Sequence, residues 1–387
     1  LIALLYIPRE LLARLYIGRA KAKLMSYSEF IVIGITGSYG KSTVKEYLAS
    51  ILSVKWNVIK TPLNVNTDVG IAKYILKTDF SQAQIFIVEI GAYRRGHVRA
   101  VCDMILPKVG ILTAINEQHI SLFGSIKETQ KAKYELLEAI PREGLTVTNS
   151  DNQYCRARIS DLPSQVETFG ADNAFHPTCL ITEVRQEGHT LHCWGIIRGE
   201  PFQYTAPLFG AHHAFNIAPC LLVAERFDVP LRDALRAAAE LSPPEHGLSV
   251  YSYGACTIID DSYSSNPEGF RAALRLLATF AGKKRIVVTR GMIELGNQSD
   301  AIHEDMGNLI AFSADELVLI SRDAAPAIER GISRVKPIAV TLEEDQEALL
   351  RRFAKYAEND WVILLENRLP PSLAALLMPY RLKKTDL

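Results

Sequence analysis

Ile31–Thr43, IVIGITGSYGKST, is the stretch on which the reading of this chain turns. IVIGI is an apolar run of the kind that forms a buried strand, TGSYG is a glycine-bearing turn, and Lys41, Ser42 and Thr43 open a helix. In that order the backbone N–H groups of the turn and of the helix start point at one spot, where the helix dipole favours an anion. A lysine there adds a full positive charge, and the hydroxyl that follows can ligate Mg2+. The expected ligand is a nucleoside triphosphate, cradled by Gly37, Ser38, Gly40, Lys41, Ser42 and Thr43. The general pattern G-x-x-x-x-G-K-S/T is met imperfectly, because its first glycine would fall on Ile35, with Gly34 and Gly37 nearby. A chance GKS in a glycine-rich strand–helix turn is the competing reading.

Working outward, VKEYLASILS continues the helix, with Val44, Tyr47, Leu48, Ile51 and Leu52 at helical spacing. WNVIKT reads as a short strand. TPLNVNTDVGIAKYIL is an Asn-rich loop leading into a helix, and Asn64 and Asn66 in it are also what ordinary turn chemistry favours. QIFIVEIGAY is a second buried strand that carries Glu89 near its end. A carboxylate there is costly unless it is paired or metal-bound, so Glu89 is either a Mg2+ or water ligand or half of a structural salt bridge. PKVGILTAIN gives a third strand, with His119 just past its end as a ligand or a structural histidine. The C-terminal ends of parallel strands are where α/β proteins place ligands. SIKETQKAKYELLEAI is an amphipathic helix whose Lys131, Lys133 and Glu135 would ordinarily be a solvated face, and GLTVTNSDN adds a strand.

Helical periodicity is lost over 152–209, where short β-prone runs alternate with turns, and an antiparallel insertion or edge subdomain is expected. GAHHAFNIAPCLLVAERF then returns to helix, with His212, His213 and Asn216 near its start, and SPPEHG (242–247) is a hinge. Beyond it strands and helices alternate again, from CTIIDD through KRIVVTR and ELVLI to WVILLE. The expected class is α/β: a central P-loop mononucleotide-binding domain with a mostly parallel sheet, then a C-terminal Rossmann-like α/β domain. The expected domains are an N-terminal segment 1–27, a central domain 28–241 with a β-rich subdomain near 152–209, and a C-terminal domain 242–387.

Composition fits this picture. The 387 residues are too many for one average domain, and 48% apolar with 22% charged residues is ordinary for a globular protein. Basic and acidic residues balance at 43 each, which excludes a global field for nucleic acid or membrane. The six cysteines show no C-x-x-C spacing, against a zinc site or disulfide framework and in keeping with a reducing cytosol. Residues 1–7, LIALLYI, are followed by Arg9, Arg14, Arg19, Lys21 and Lys23 against the single acid Glu10. The run is far below the ~20 residues that span a bilayer. Three readings stand: the tail of a truncated membrane helix with a positive cytosolic flank, an interfacial helix, or a packed terminal helix. The chain opens on Leu1 and not Met, so it is expected to begin within a longer protein.

Taken together, TGSYGKST, T-x-x-N-x-N, VEIGA, N-x-x-H-x-x-x-FGS, KAKYE, TNSD, GAHHAFN, DDSYSSNP and MIELG resemble the Mur ligase family in order and spacing. DDSYSSNP with MIELG points to the branch that adds D-alanyl-D-alanine to UDP-N-acetylmuramoyl-tripeptide. The resemblance implies that Lys41 holds the β- and γ-phosphates of ATP, and that Ser42, Glu89, His119 and a carbamylated Lys133 hold Mg2+. It makes Asn66, beside Asn64, the Asn-loop position on the substrate side. It gives nucleotide contacts to Asn216, His303, Asp261, Tyr263 and Asn266. The implied reaction is phosphorylation of a carboxylate by ATP, then attack by an amine on the acyl phosphate, with closure about the 242–247 hinge completing the site.

Some positions depart from the family pattern. The arginine expected before the C-terminal domain's first strand is replaced, with Gly247 the equivalent in PPEHGLSV. His213 and Ser264 stand where the family has asparagine, Arg290 lies in the turn before MIELG, and the late K-G-S-R-like segment reads LENRLPP. The family's UDP-gripping N-terminal domain is expected to be absent, with the apolar–basic segment in its place. The expected partners are a UDP-MurNAc-peptide and D-Ala-D-Ala, with no nucleic acid. The protein is expected to be a cytoplasmic monomer, attached to the inner face of the membrane if the N-terminal segment binds it. A folate or polyamino-acid type of ligase, or a nucleotide-binding scaffold with impaired catalysis, are the alternatives.

Overall fold

The computed structural model describes residues 2–27, 30–92, 95–116, 124–187, 190–243, 247–263, 267–293, 295 and 298–382. Leu1–Arg185, His192–Ala206 and His213–Leu241 form one compact unit; Gln186–Leu191, Pro207–His212 and Ser242–Leu387 form another.

The first unit is organised on β1 (Ile31–Thr36), whose residues beyond Ile31 are all buried. A strand buried on both faces belongs in the middle of a parallel sheet, and β1 lies between β3 (Ile85–Glu89) and β4 (Val109–Leu112), parallel to both. The register sets Ile35 beside Glu89 and Thr36 beside Leu112, so three strand ends finish together. The full order is β2 (Val58–Lys60), β3, β1, β4, β5 (Leu145–Asn149), β6 (Gln165–Gly170), β7 (Cys179–Glu187), β8 (Thr190–Ile197), β9 (Glu200–Ala206). Chain order reverses direction across β1, the position where open α/β sheets form a crevice.

Of the two readings of 152–209, an antiparallel insertion or an edge subdomain, the strands lie as the second has them, at one end of the sheet, and the antiparallel expectation is corrected for β6 and the start of β7. β6 pairs in parallel with β5 and β7 with β6, so these strands prolong the main sheet. Sequence patterning missed this because edge strands with one solvated face alternate like an antiparallel ribbon.

α2 (Lys41–Leu52) follows the loop after β1 and buries Val44, Tyr47, Leu48, Ile51 and Leu52, as its spacing predicts. Each such side chain contributes roughly 1.5–3 kcal/mol of burial. α3 (Asp68–Lys77) is capped by Thr67, which accepts from Gly70 N. α4 (His97–Ile105) precedes β4, and α5 (Ile126–Glu138) starts at Ser125, which accepts from the Glu128 N–H. α1 (Ile2–Met25) is one continuous helix that packs on α3 and α4 and buries Ala20 and Leu24. Its Lys23 ammonium donates to Leu76 O (3.1 Å) and Thr78 O (2.6 Å), the carbonyl end of α3, where a cation is favoured. No helix among the described residues is long and apolar enough to cross a membrane. α6 (Gln153–Arg156), α7 (His212–Arg226) and α8 (Leu231–Ala239) complete this part of the chain.

The second unit holds a six-stranded sheet in the order β10 (Ser249–Tyr253), β11 (Cys256–Asp261), β15 (Val362–Glu366), β12 (Arg285–Thr289), β13 (Glu316–Leu319), β14 (Ala339–Leu342). Among the described residues only β10 runs antiparallel to its neighbour; the other pairings are parallel. Alternate residues feed two cores: Ile259, Val287, Leu317 and Leu364 on one face, Ile258, Ile286, Val318 and Ile363 on the other. The helices of this unit are α9 (Pro267–Thr279), α10 (Ser299–Ser313), α11 (Ala325–Ser333), α12 (Gln346–Tyr356) and α13 (Pro371–Leu382). This is the expected mixed α/β class with a mostly parallel sheet in each part.

Candidate active site

The loop after β1 is lashed to the end of β4. Ser38 N donates to Ala114 O (2.7 Å), Asn116 N donates to Ser38 Oγ (3.1 Å), and Thr113 Oγ1 donates to Tyr39 O. Two glycines make the approach possible. A Cβ on Gly37 would lie 2.0 Å from Thr113 Oγ1, and Gly40 takes the left-handed conformation (φ 79°) in which a Cβ would lie 2.7 Å from Asn216 Oδ1. Asn216, far away in sequence, is therefore set against the loop.

Two ammonium groups converge on this loop. Lys41 Nζ donates to Gly37 O (2.9 Å) and Ser38 O (3.3 Å), and Lys133 Nζ donates to the same Gly37 O (2.9 Å). Lys133 is buried, which corrects the solvated-face reading of its helix; Lys131 is the exposed member and pairs with Glu128. Burial lowers the Lys41 pKa, partly countered by the charge of Glu89. Burial and then the Lys41 charge hold Lys133 well below the ordinary lysine value. Two amines on one carbonyl, one of them destabilised as a cation, make a site that an anion would relieve.

Glu89 ends β3 and is buried. Its Oε1 accepts from Asn66 Nδ2 (3.2 Å), and Oε2 lies 3.3 Å from Lys45 Nζ. Burial raises its pKa, but the charges of Lys41 and Lys45 and hydrogen bonds from Asn66 and Ser42 outweigh it, and the net shift is downward. The Glu89 N–H donates to Thr61 Oγ1 (3.1 Å), which joins the Asn loop to the strand end. Asn64 sits in that loop with φ 64°. The structure thus gathers Gly37, Ser38, Gly40, Lys41, Ser42, Asn66, Glu89, Lys133 and Asn216, with Thr43 in the first turn of α2. His119 and Asn266 lie outside the described residues.

In the second unit the C-terminal strand ends carry their own cluster. Asp261 on β11 is level with Glu366 on β15, and Thr289 on β12 is level with Glu366 on the other side. Thr289 Oγ1 donates to Glu366 Oε2 (2.6 Å) and accepts from Gly291 N (2.9 Å). Asp261 is buried, whereas Tyr263 is exposed. His303 is buried, its Nε2 accepting from Met292 N (2.9 Å) and its Nδ1 donating to Ser299 O (2.8 Å). Burial lowers its pKa, and the two backbone contacts fix one neutral tautomer.

Sequence reasoning passed over Lys45 and Thr113, and noted Asn116 only as the first residue of the motif that leads to His119. Lys45 was legible only as a helix position one turn beyond Lys41; the other two belong to a strand end whose proximity to the loop is set by sheet order.

A P-loop at the switch point of a parallel sheet, with a Rossmann-like unit later in the chain, defines a nucleotide-binding α/β protein. Residues 35–224 match the Mur ligase middle domain, and residues 248–366 match the Mur ligase, glutamate ligase domain. Among curated proteins, the UDP-N-acetylmuramoyl-tripeptide–D-alanyl-D-alanine ligase of Synechocystis is 29% identical over 310 residues, covering 79% of this chain and 65% of that protein. The Escherichia coli protein of the same name is 27% identical over 308 residues, covering 79% and 68%. In fold, MurF from Acinetobacter baumannii superposes with a TM-score of 0.81 at 23% identity, covering 94% of this chain and 79% of that one. MurF from Thermotoga maritima in complex with ADP gives 0.81 at 24% identity, covering 95% and 83%. The chain belongs to the Mur ligase family. It spans about two thirds of the length of the curated relatives named here.

Proposed function

We propose that this chain is the catalytic part of an ATP-dependent amide ligase that joins D-Ala-D-Ala, or a similar amine, to a UDP-MurNAc-peptide carboxylate in cell-wall precursor synthesis. The observation that carries the proposal is the meeting of Lys41 and Lys133 on the Gly37 carbonyl beside the tethered carboxylate of Glu89. ATP would draw the Lys41 ammonium from the loop carbonyl onto its phosphates. The substrate carboxylate then takes the γ-phosphoryl group, ADP leaves, and the amine displaces phosphate from the acyl carbon. Little covalent chemistry falls to the protein; Lys41 neutralises charge on the phosphoryl oxygens, the loop positions it, and a carbamylated Lys133 would join the ligands of Mg2+.

Mg2+ fits the oxygen donors present. The Ser42 hydroxyl and a Glu89 carboxylate oxygen are hard ligands, and Mg2+ is ordinarily held by one or two protein oxygens together with phosphates. Bound there, the ion would supply further neutralisation of phosphate charge. Asp261, Tyr263 and His303 are proposed to serve the nucleotide from the second unit, His303 by shaping the Gly291–Met292 turn.

The decisive assay is phosphate release from ATP with UDP-MurNAc-tripeptide plus D-Ala-D-Ala, run beside other carboxylate and amine pairs. Turnover with the first pair alone establishes the substrate. Turnover only with folate or polyamino-acid pairs transfers the reading to that branch, and MgATP binding without turnover leaves a scaffold. Nucleotide-linked substrates imply a cytosolic protein. Exposed Leu11, Leu12 and Leu15 on α1, with Arg14 and Arg19 exposed beside them, support α1 lying along an anionic membrane surface. Co-sedimentation with phosphatidylglycerol vesicles, lost in Leu11→Glu/Leu15→Glu, tests this.

A further inference from the structure

Lys45 is fully buried on α2, one helical turn beyond Lys41 and on the same face. Its ammonium lies 3.3 Å from Glu89 Oε2, 3.6 Å from Glu46 Oε1 and 3.5 Å from Pro62 O. Glu46 in turn pairs with Lys60 through its other oxygen. A buried lysine is costly unless paired, so this chain of charges must repay its own burial, and its inner end is the carboxylate of the proposed Mg2+ site.

Two lysines on one helix face compete for that carboxylate. Both lie close enough for their charges to act on Glu89. Yet Lys41 donates to the Gly37 and Ser38 carbonyls, whereas Lys45 holds Glu89 Oε2. Resting on the ligase reading above, we infer that Lys45 is a positioning residue. By occupying Glu89 Oε2 it keeps Glu89 from capturing Lys41, so that Lys41 remains available to phosphate and Oε1 stays turned toward Asn66 and the metal side. Without Lys45, the Glu89 carboxylate would recruit the next cation along the helix face and draw Lys41 off the phosphate-binding loop.

The test is binding of MgADP to the whole chain by calorimetry, which needs no turnover. Lys45→Met is expected to weaken MgADP about tenfold or more, because it leaves a buried carboxylate to seek Lys41. Lys45→Arg, which restores a cation, is expected to recover most of that loss. Because Lys45 acts through Glu89, Lys45→Met/Glu89→Gln should bind no more weakly than Glu89→Gln alone, a non-additivity that a purely structural lysine would not show. Folded Lys45→Met that binds within about twofold of wild type, or additive losses in the double variant, would overturn the inference. If Lys45→Met does not fold, the double variant, which removes both buried charges, carries the test: affinity equal to Glu89→Gln supports the inference and weaker affinity overturns it. A wild-type chain that binds MgADP but turns over no substrate pair sinks the ligase reading while the Lys45 result stands; one that binds no MgADP sinks both.

Discussion

The two parallel sheets end differently. At the end of β1 the charged groups lean on carbonyls and on one another in ways a phosphate would improve: two ammonium groups crowd one oxygen, and one of them is held far below its ordinary pKa. At the ends of β11, β15 and β12 the polar groups are bonded to one another and to nearby backbone: Thr289 to the Glu366 carboxylate and the Gly291 N–H, His303 to Met292 and Ser299, Asp260 to the Tyr251 hydroxyl and the Ser262 N–H. The first arrangement stores unsatisfied charge and the second stores shape. The lesson is that two clusters of buried polar groups at strand ends differ in how far the protein's own partners satisfy them.

The contrast can be broken by substitution. Lys41→Ala should have the largest effect, lowering ATP-dependent phosphate release by about a thousandfold or more, since phosphoryl transfer rests on charge neutralisation; full activity would remove the P-loop from the mechanism. Gly37→Ala comes next. Its Cβ would collide with Thr113 Oγ1, and a loss of about 2 kcal/mol or more in urea denaturation is expected, partly regained in Gly37→Ala/Thr113→Ala.

For the second unit, His303→Ala should cost about 2 kcal/mol by stranding the Met292 N–H and the Ser299 carbonyl. If the unfolding midpoint stays put while nucleotide affinity falls, His303 belongs with the unsatisfied groups and the contrast fails. The sign of its pH dependence follows from its lowered pKa. As pH falls through the ordinary imidazole range, the unfolded chain takes up a proton that folded His303 refuses, so stability falls with acidification. His303→Gln should flatten that slope in melts between about pH 7 and pH 5. The smallest effect is expected from Gly247→Arg, which restores the family's cation and should raise phosphate release by about threefold; no change would count against Gly247 as the equivalent position.

Much of the first site was legible. A buried strand, a glycine turn and a lysine opening a helix each have a local signature, and Glu89 drew notice because a carboxylate in an apolar run must be compensated. Lys133 was not legible from its own helix, where it reads as one more surface charge; only the family resemblance singled it out, and its contact with Gly37 explains why it is buried. Lys45 carried no signal, because its partner arrives on another strand and the pairing exists only once β3 lies beside β1. His303 could be read as a site residue but not as one with both nitrogens engaged, since those bonds depend on how the turn after β12 closes. The continuation of the main sheet through β6 to β9 was hidden for the related reason that strand pairing is a non-local choice.

The Lys23 clamp on α3 bears on where the folding unit begins. The family match starts at residue 35, yet Ala20 and Leu24 belong to the same hydrophobic cluster as Ile71, Ile75 and Val98. A domain boundary drawn from the family match would cut through a cooperative unit. It would strip one side of α3 and remove the Lys23 ammonium from its carbonyl end.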